Sequence, residues 1–278
     1  MKQEKNFQCR SVENIATGKT AWDKVTIVRN TSRPSALQLL EYLLSDFMEL
    51  HGDRAFGDDK ALVGGIGLFH GIPITVIAQE RGRNPKEHRE RNYAMLHPEG
   101  YRKAKRLAVQ AERFHRPILC IVDTPGAYPG IEAEERGQAE AIAQCLLSFS
   151  TVKTPVISIV LGQGGSGGAL ALCTADRILM LENATFSVIS PEGFASIYWK
   201  DPLRAREASE IMKMTAQELL AMGVIDRIIP EDANGLQNDK NYSFEQIKIT
   251  LKDIIKELIT IPVERLVAER LDKLRHVI

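Results

Sequence analysis

Cysteine is scarce and scattered: Cys9, Cys120, Cys145 and Cys173 lie far apart with no C-x-x-C pair. That spacing supplies neither a zinc knuckle nor a disulfide framework, so no metal site is expected in this chain. No apolar run approaches the roughly 20 residues needed to cross a bilayer. The opening Met1-Lys-Gln-Glu-Lys-Asn-Phe-Gln-Cys-Arg10 has no apolar core of a secretory signal. Neither sign of charge is in excess, with 36 Lys and Arg against 36 Asp and Glu. A general nucleic-acid binder needs a cationic surplus, and that class is set aside. Blocks of like charge, the mark of a solvated tail, are also missing. What remains is 278 residues at 44% hydrophobic content, enough for one large domain or two small ones. The expectation is a soluble, reduced, cytoplasmic protein with no nucleic-acid or membrane partner.

Residues 1–30 are polar and weakly patterned and read as a loosely docked arm. Gly18-Lys19-Thr20 resembles the end of a phosphate loop, but Glu13 stands where the first glycine belongs. After Pro34, Ala36, Leu37, Leu40, Leu43, Leu44, Phe47 and Leu50 repeat at three and four, which predicts one amphipathic helix. Two extended runs, 61–69 and 73–79, joined at His70-Gly71, predict a β-hairpin. Residues 80–91 are polar and basic and read as a surface loop. A helix from Pro98 should bury Tyr101, Ala104, Leu107, Ala108, Ala111 and Phe114, with Arg102, Lys103, Lys105 and Arg106 mostly outside. Continuous apolar runs at 118–122 and 156–161 predict strands buried on both faces. Each is followed by a loop and a helix, which implies parallel strands with right-handed crossovers. Further strands are expected at 177–181, 184–189 and 224–229, and helices at 202–214 and 216–222. Residues 31–230 are thus read as the main domain, and 231–278 as a polar linker with two peripheral C-terminal helices.

Two loops at strand ends carry the chemistry. Residues 162–168, Gly-Gln-Gly-Gly-Ser-Gly-Gly, hold five glycines in seven positions between a buried strand and a helix. Clustered glycine makes sense where Cβ atoms cannot be tolerated. The helix start behind it offers unpaired N–H groups and the positive end of the dipole, suited to a phosphate or the oxyanion of a polarised carbonyl. A bland alternative is a tight crossover in which glycine only permits close packing. Gly164, Ser166 and Gly168 also spell G-x-S-x-G, the nucleophile elbow of serine hydrolases. In that chain order the base must follow the serine, and only His276 does; His51, His70, His88, His97 and His115 all precede it. The second loop, Asp123-Thr-Pro-Gly-Ala-Tyr-Pro-Gly130, lies at the C-terminal end of the neighbouring strand, where sheets of this kind bind ligands. Asp123 reads as a loop cap. Glu192, in Ser190-Pro-Glu-Gly193, is either an acid–base group or a complement to a helix dipole.

Six ordered motifs carry a resemblance: His51-Gly-Asp-Arg54, Pro98-Glu-Gly-Tyr-Arg-Lys103, residues 123–130, Glu134-Glu-Arg-Gly-Gln138, Gly164-Gly-Ser-Gly-Gly-Ala-Leu170 and Val188-Ile-Ser-Pro-Glu-Gly193. From about Thr20 to Pro230 the chain resembles the alpha subunits of the carboxyltransferase component of bacterial acetyl-CoA carboxylase. The resemblance implies an α/β, crotonase-like fold of repeated ββα units wound into a superhelix. It implies transfer of a carboxyl group from carboxybiotin, carried on a biotin carboxyl carrier protein, to acetyl-CoA, giving malonyl-CoA for fatty-acid synthesis. Negative charge then develops on the ureido oxygen of biotin and on the thioester oxygen, and each needs preorganised N–H donors rather than a serine or a histidine. By resemblance Gly164, Gly165, Gly167 and Gly168 form the hole for the biotin oxygen, with Gly126, Ala127, Tyr128, Ser166, Glu192 and Gly193 lining the substrate site. The same resemblance implies a separate beta subunit, with its own zinc ribbon, for the acetyl-CoA side, in an α2β2 heterotetramer that works with biotin carboxylase. The basic stretches 81–91 and 102–106 read as a solvated face, with CoA phosphates or the partner as the other reading. Gln163 stands where the family often has Glu, so no charged role falls there, and the arm before Thr20 is short for the family. A degenerate scaffold subunit is the non-enzymatic alternative.

Overall fold

The computed structural model describes residues 18–276, so Cys9 and the first seventeen residues of the arm lie outside the described residues, as does the His276 side chain. Thr20 caps α1 (Ala21–Val28) in a reciprocal box, its hydroxyl accepting from the Asp23 N–H and its own N–H donating to the Asp23 carboxylate. Thr20 thus serves as a helix cap. The helix buries Val25, Val28 and Lys24, whose ammonium donates to the Glu182 carbonyl at 3.2 Å. The loosely docked arm therefore does not extend over α1. A second box, Ser35 with Gln38, opens α2 (Ala36–Leu43). The helix stops there because Leu44 is extended and Asp46 takes a φ of 50°. Phe47 consequently belongs to a strand, β1 (Ser45–Glu49), and its ring packs over Gly65 and Gly67 of β2 (Leu62–Phe69). The three-and-four spacing of Phe47 and Leu50 was a coincidence of a helix running into a strand.

β2 and β3 (Ile72–Gln79) form the expected hairpin, closed at His70 and Gly71, both at positive φ as a two-residue turn requires. The polar segment after it contains a short helix, α3 (Pro85–Glu90), capped by Asn84. α4 (Pro98–Arg113) buries Tyr101, Ala104, Leu107, Ala108 and Ala111, but Phe114 lies past its end and is 64% exposed. Lys103 reverses the other expectation: it is fully buried, donating to the Leu62 carbonyl and pairing with Asp58, both at 2.8 Å.

β4 (Ile118–Thr124) leads to a helical stretch split at Gly137, whose φ of 81° separates α5 (Ile131–Glu135) from α6 (Gln138–Thr151). β5 (Val156–Gly165) runs four residues beyond the apolar core of the strand and turns into α7 (Ser166–Cys173), three residues earlier than expected. The chain continues through β6 (Arg177–Leu181), β7 (Thr185–Ser187), α8 (Pro191–Trp199), α9 (Ala205–Ile211), α10 (Ala216–Ala221) and β8 (Arg227–Ile229). Two long helices close it, α11 (Lys240–Leu258) and α12 (Val263–His276). One sheet runs β1-β2-β3-β4-β5-β6-β8, with β7 alongside the end of β5. The first two pairings are antiparallel and all those from β3 onward are parallel. The C-terminal ends of β3, β4 and β5, at Gln79, Thr124 and Gly165, therefore come to one edge.

α12 is anchored by one buried cation. The Arg270 guanidinium donates to both carboxylate oxygens of Asp176 (2.8 and 2.7 Å) and to the carbonyls of Phe149, Val152 and Thr154. All five N–H donors are used, which is what allows the charge to sit in the interior. We predict that Arg270→Met, which strands the Asp176 carboxylate, costs about 3–5 kcal/mol in urea unfolding; a loss below about 1 kcal/mol, the scale of a surface pair, would show that α12 is held by its apolar face instead.

The Lys103–Asp58 pair sets an acid limit. Burial pushes the Asp58 carboxyl up, but the Lys103 ammonium, the Gly52 N–H and His51 outweigh it and hold the pKa at about 2, below its ordinary 3.8. A depressed carboxyl stabilises the fold above pH 3.8, and that contribution is lost as pH falls toward 2. Asp58→Asn should flatten this part of the stability profile between pH 4 and 2, measured by urea midpoint. An unchanged slope would remove Asp58 from the acid transition.

Candidate functional site

The site is built where β4 and β5 end. Thr124 lies opposite Gly164 in the ladder, and on the other side Gln163, Gly164 and Gly165 pair with Thr185, Phe186 and Ser187 of β7. The first half of the glycine loop is therefore strand, with its main chain in the sheet. Ser166 then takes a φ of 55°, a conformation costly for a non-glycine residue, and turns the chain sharply into α7. Gly165 is the N-cap and offers no side-chain acceptor. The N–H groups of Ser166, Gly167 and Gly168 are the first of the helix, where no preceding turn can accept them. They point out of the positive end of the helix.

The glycines of this loop divide into two kinds. A Cβ on Gly165 would overlap the Pro125 carbonyl, and one on Gly168 would lie 2.6 Å from the Ala127 nitrogen and 3.0 Å from the Tyr101 hydroxyl. One on Gly164 would meet the Phe186 ring at 2.8 Å, and one on Gly162 would run into the Asp123 carboxylate. Gly167 differs: its Cβ would meet only Ile142, at an ordinary 3.7 Å. Close packing thus accounts for four of the five, while Gly167 faces accessible space.

The loop at residues 123–130 is the other wall. The Thr124 hydroxyl accepts from the Gly126 N–H at 3.1 Å, and Gly126 itself has a φ of 154°. The Asp123 carboxylate is buried and accepts from the Gln163 N–H at 2.9 Å, so Asp123 is a cap between the two loops. Its other oxygen stands 3.6 Å from Nε of Arg81. Gln79, at the end of β3, donates to the Gly168 carbonyl at 2.8 Å and accepts from the Asp123 N–H at 3.2 Å. Ala127 packs beneath Gly168. Tyr128 donates its N–H to the Leu96 carbonyl at 3.0 Å and stacks its ring on His97 at 4.2 Å. Its hydroxyl bonds Glu132, which raises the phenol pKa.

The remaining residues singled out from the sequence are placed as follows. Both oxygens of Glu192 pair with the Arg29 guanidinium of α1, at 2.6 and 3.0 Å, and this pairing lowers the carboxyl pKa. The Gly193 N–H donates to the Ser190 hydroxyl that caps α8. Ser166 is exposed, and among the described residues no histidine hydrogen-bonds it. The basic stretches form a solvated face only in part: Arg83, Lys86 and Arg89 are exposed, whereas Arg81, Arg102 and Arg106 are held by the chain itself. Arg81 is buried against the carbonyls of Val28, Asn30 and Arg33. Arg102 pairs with Asp53 and Glu99, and Arg106 donates to the Gly52 carbonyl. One surface cleft of about 580 Å³ runs along the outer face of α4, and another of about 360 Å³ lies around His97, Glu99 and Arg136, next to the Tyr128 ring. Gln79 escaped the sequence reading, since a single polar side chain at the end of an apolar strand carries no periodic signal.

A family model described as acetyl co-enzyme A carboxylase carboxyltransferase-like matches residues 2–278. The chain belongs to that family. It is 52% identical over 264 residues to the acetyl-coenzyme A carboxylase carboxyl transferase subunit alpha of Listeria monocytogenes serotype 4b, covering 95% of this chain and 83% of the relative. Against the subunit of the same name from Clostridium acetobutylicum it is 52% identical over 258 residues, covering 93% and 94%. Among solved structures it is similar to transcarboxylase 12S with methylmalonyl-coenzyme A bound, at a TM-score of 0.69 and 18% identity over 86% of this chain and 44% of that one. A Pseudomonas malonate decarboxylase hetero-tetramer in complex with coenzyme A gives a TM-score of 0.62 and 20% identity, over 78% and 86%. The fold of this family member is the crotonase-like one.

The two kinds of glycine give opposite expectations. Gly168→Ala forces a methyl onto the 126–127 backbone and should cost about 1–3 kcal/mol. Gly167→Ala should leave stability unchanged or raise it slightly, since alanine suits a helix better. Thermal unfolding of both variants checks this, and equal losses would refute the division.

Proposed function

We propose that this chain is the alpha subunit of an acetyl-CoA carboxylase carboxyltransferase, moving a carboxyl group from carboxybiotin on a carrier protein to acetyl-CoA to give malonyl-CoA. The observation that carries the reading is the set of first-turn N–H groups at the start of α7, set against the 123–128 loop with Gly167 facing open space. These donors, in a cradle that Gly164, Gly165 and Gly168 allow by close backbone packing and that Gly167 leaves open, fit a small anionic oxygen. In the proposed complex they hold the ureido oxygen of biotin, and Gly126, Ala127 and Tyr128 form the facing wall. Carboxybiotin supplies an activated carboxyl group and, once relieved of it, a basic site for the proton of the acetyl methyl. This chain's part is to bind and orient: the α7 donors and dipole favour charge on the oxygen as it develops, each donor being worth about 10²–10³ in rate. Ser166 and Gly193 contribute at the rim. Glu192, already paired with Arg29, acts by fixing α1 to the start of α8 rather than by carrying a proton.

The acetyl-CoA side is assigned to a separate beta subunit in an α2β2 assembly, supplied by the carrier protein and biotin carboxylase in the cytoplasm. Purified alone, the chain should form no malonyl-CoA from carboxybiotin and acetyl-CoA, and addition of the beta chain should restore turnover. Gly167→Val, whose extra methyls enter the open space, should assemble normally and lose at least about 10²-fold in rate. Turnover by the isolated chain, or full activity of Gly167→Val in the complex, would overturn the assignment. The second result would leave a scaffold subunit.

A further inference from the structure

We infer that Gln79 is a positioning residue that ties the two glycine loops into one unit and sets the aim of the α7 N–H donors; the inference rests on the carboxyltransferase reading above. Gln79 is fully buried at the C-terminal end of β3, so it acts through its neighbours. Its Nε2 donates to the Gly168 carbonyl at 2.8 Å, and its Oε1 accepts from the Asp123 N–H at 3.2 Å. The two partners fix which way the amide lies, because a carbonyl only accepts and an N–H only donates. Gly168 is the third residue of α7, so holding its carbonyl sets the tilt of the first turn and the direction of its N–H groups. Asp123 begins the opposing loop, and its carboxylate takes the Gln163 N–H at 2.9 Å, closing the tie from the other side.

Packing cannot replace this arrangement. Gly165 and Gly168 touch the 125–127 backbone without any side chain of their own, so the contact resists compression but not sliding. A directional bond to each loop is what fixes the register between them. Catalysis by preorganised donors depends on such fixing, since a misplacement near 1 Å can cost about 10²-fold.

The test uses the full alpha–beta complex with its biotinylated carrier. Gln79→Met keeps the length and loses both bonds; Gln79→Leu loses both with a branched apolar side chain of similar bulk. Measured per mole of intact complex, kcat should fall about 10- to 100-fold in both, with the KM for acetyl-CoA unchanged. Amide hydrogen exchange should accelerate over residues 162–170 and 123–128, with the rest of the chain unaffected. A kcat per intact complex equal to wild type in both variants would overturn the inference, as would a loss that only tracks the unassembled fraction. Failure of both variants to assemble would make Gln79 a folding residue and overturn it equally. If the wild-type complex itself transfers no carboxyl group, the functional reading fails, and the exchange rates alone then decide the tie: unaltered exchange over both loops removes it.

Discussion

Everything at this site follows from a contact between two stretches of main chain that approach too closely for side chains to intervene. Residues 165–168 lie directly on 125–127, and a single methyl on Gly165 or Gly168 would occupy the space of the opposing backbone. A contact of that kind places peptide dipoles, rather than side chains, around whatever lies beside it. Peptide N–H groups cannot be titrated and do not rotate independently, so a site made of them is the same at every pH and has little to reorganise when charge appears. The sheet supplies the rigidity: Gly164 is held between Thr124 and Phe186 before the chain turns.

The turn itself explains why the sequence admits a hydrolase reading. A strand that enters a helix through a non-glycine residue at positive φ is the geometry of a nucleophile elbow, and Ser166 has it. In a hydrolase the strain presents a hydroxyl to a histidine. In this chain the same strain releases the first-turn amides from the sheet and faces them outward. Fold and elbow alone do not separate the two chemistries; among the described residues no histidine bonds Ser166, and the family of the chain points the same way.

Much of this was legible in the residues. The buried strands at 118–122 and 156–161, the hairpin and the inner face of α4 follow from period and apolar continuity, because burial on one or both faces leaves a repeating mark. Phe47 was misread because a strand following a helix happened to prolong its spacing. Lys103 was misread because a long charged side chain at an inward position looks like its half-buried neighbours Arg102 and Lys105 until Asp58 and the Leu62 carbonyl are brought to it. The glycine cluster announced a site, but the division of labour within it was not readable: spacing does not say which Cβ would meet backbone and which would meet open space. Helix α1 carried a usable sign, the Thr20–Asp23 box ahead of Val25 and Val28, and its polar surroundings hid it.

The placement of Asp123 raises an electrostatic question that the structure answers. A buried carboxylate beneath a loop proposed to receive an anion would oppose the charge that loop is meant to favour, and in a low-dielectric setting the opposition is large. Asp123 is needed there because its oxygen secures the Gln163 N–H. The compensation comes from Arg81, whose Nε stands 3.6 Å from the other carboxylate oxygen. Arg81 cannot swing away, for its terminal nitrogens are held by the carbonyls of Val28, Asn30 and Arg33. The segment joining α1 to α2 thus fixes a cation under the site from a distance, and Arg33 beside it pairs with Glu231, the acid that also takes the Asn183 N–H. The region first read as a loose arm therefore ends in the Val28 and Asn30 carbonyls that hold this cation in place, so that Asp123 is balanced and the positive end of α7 is left to act on its proposed guest.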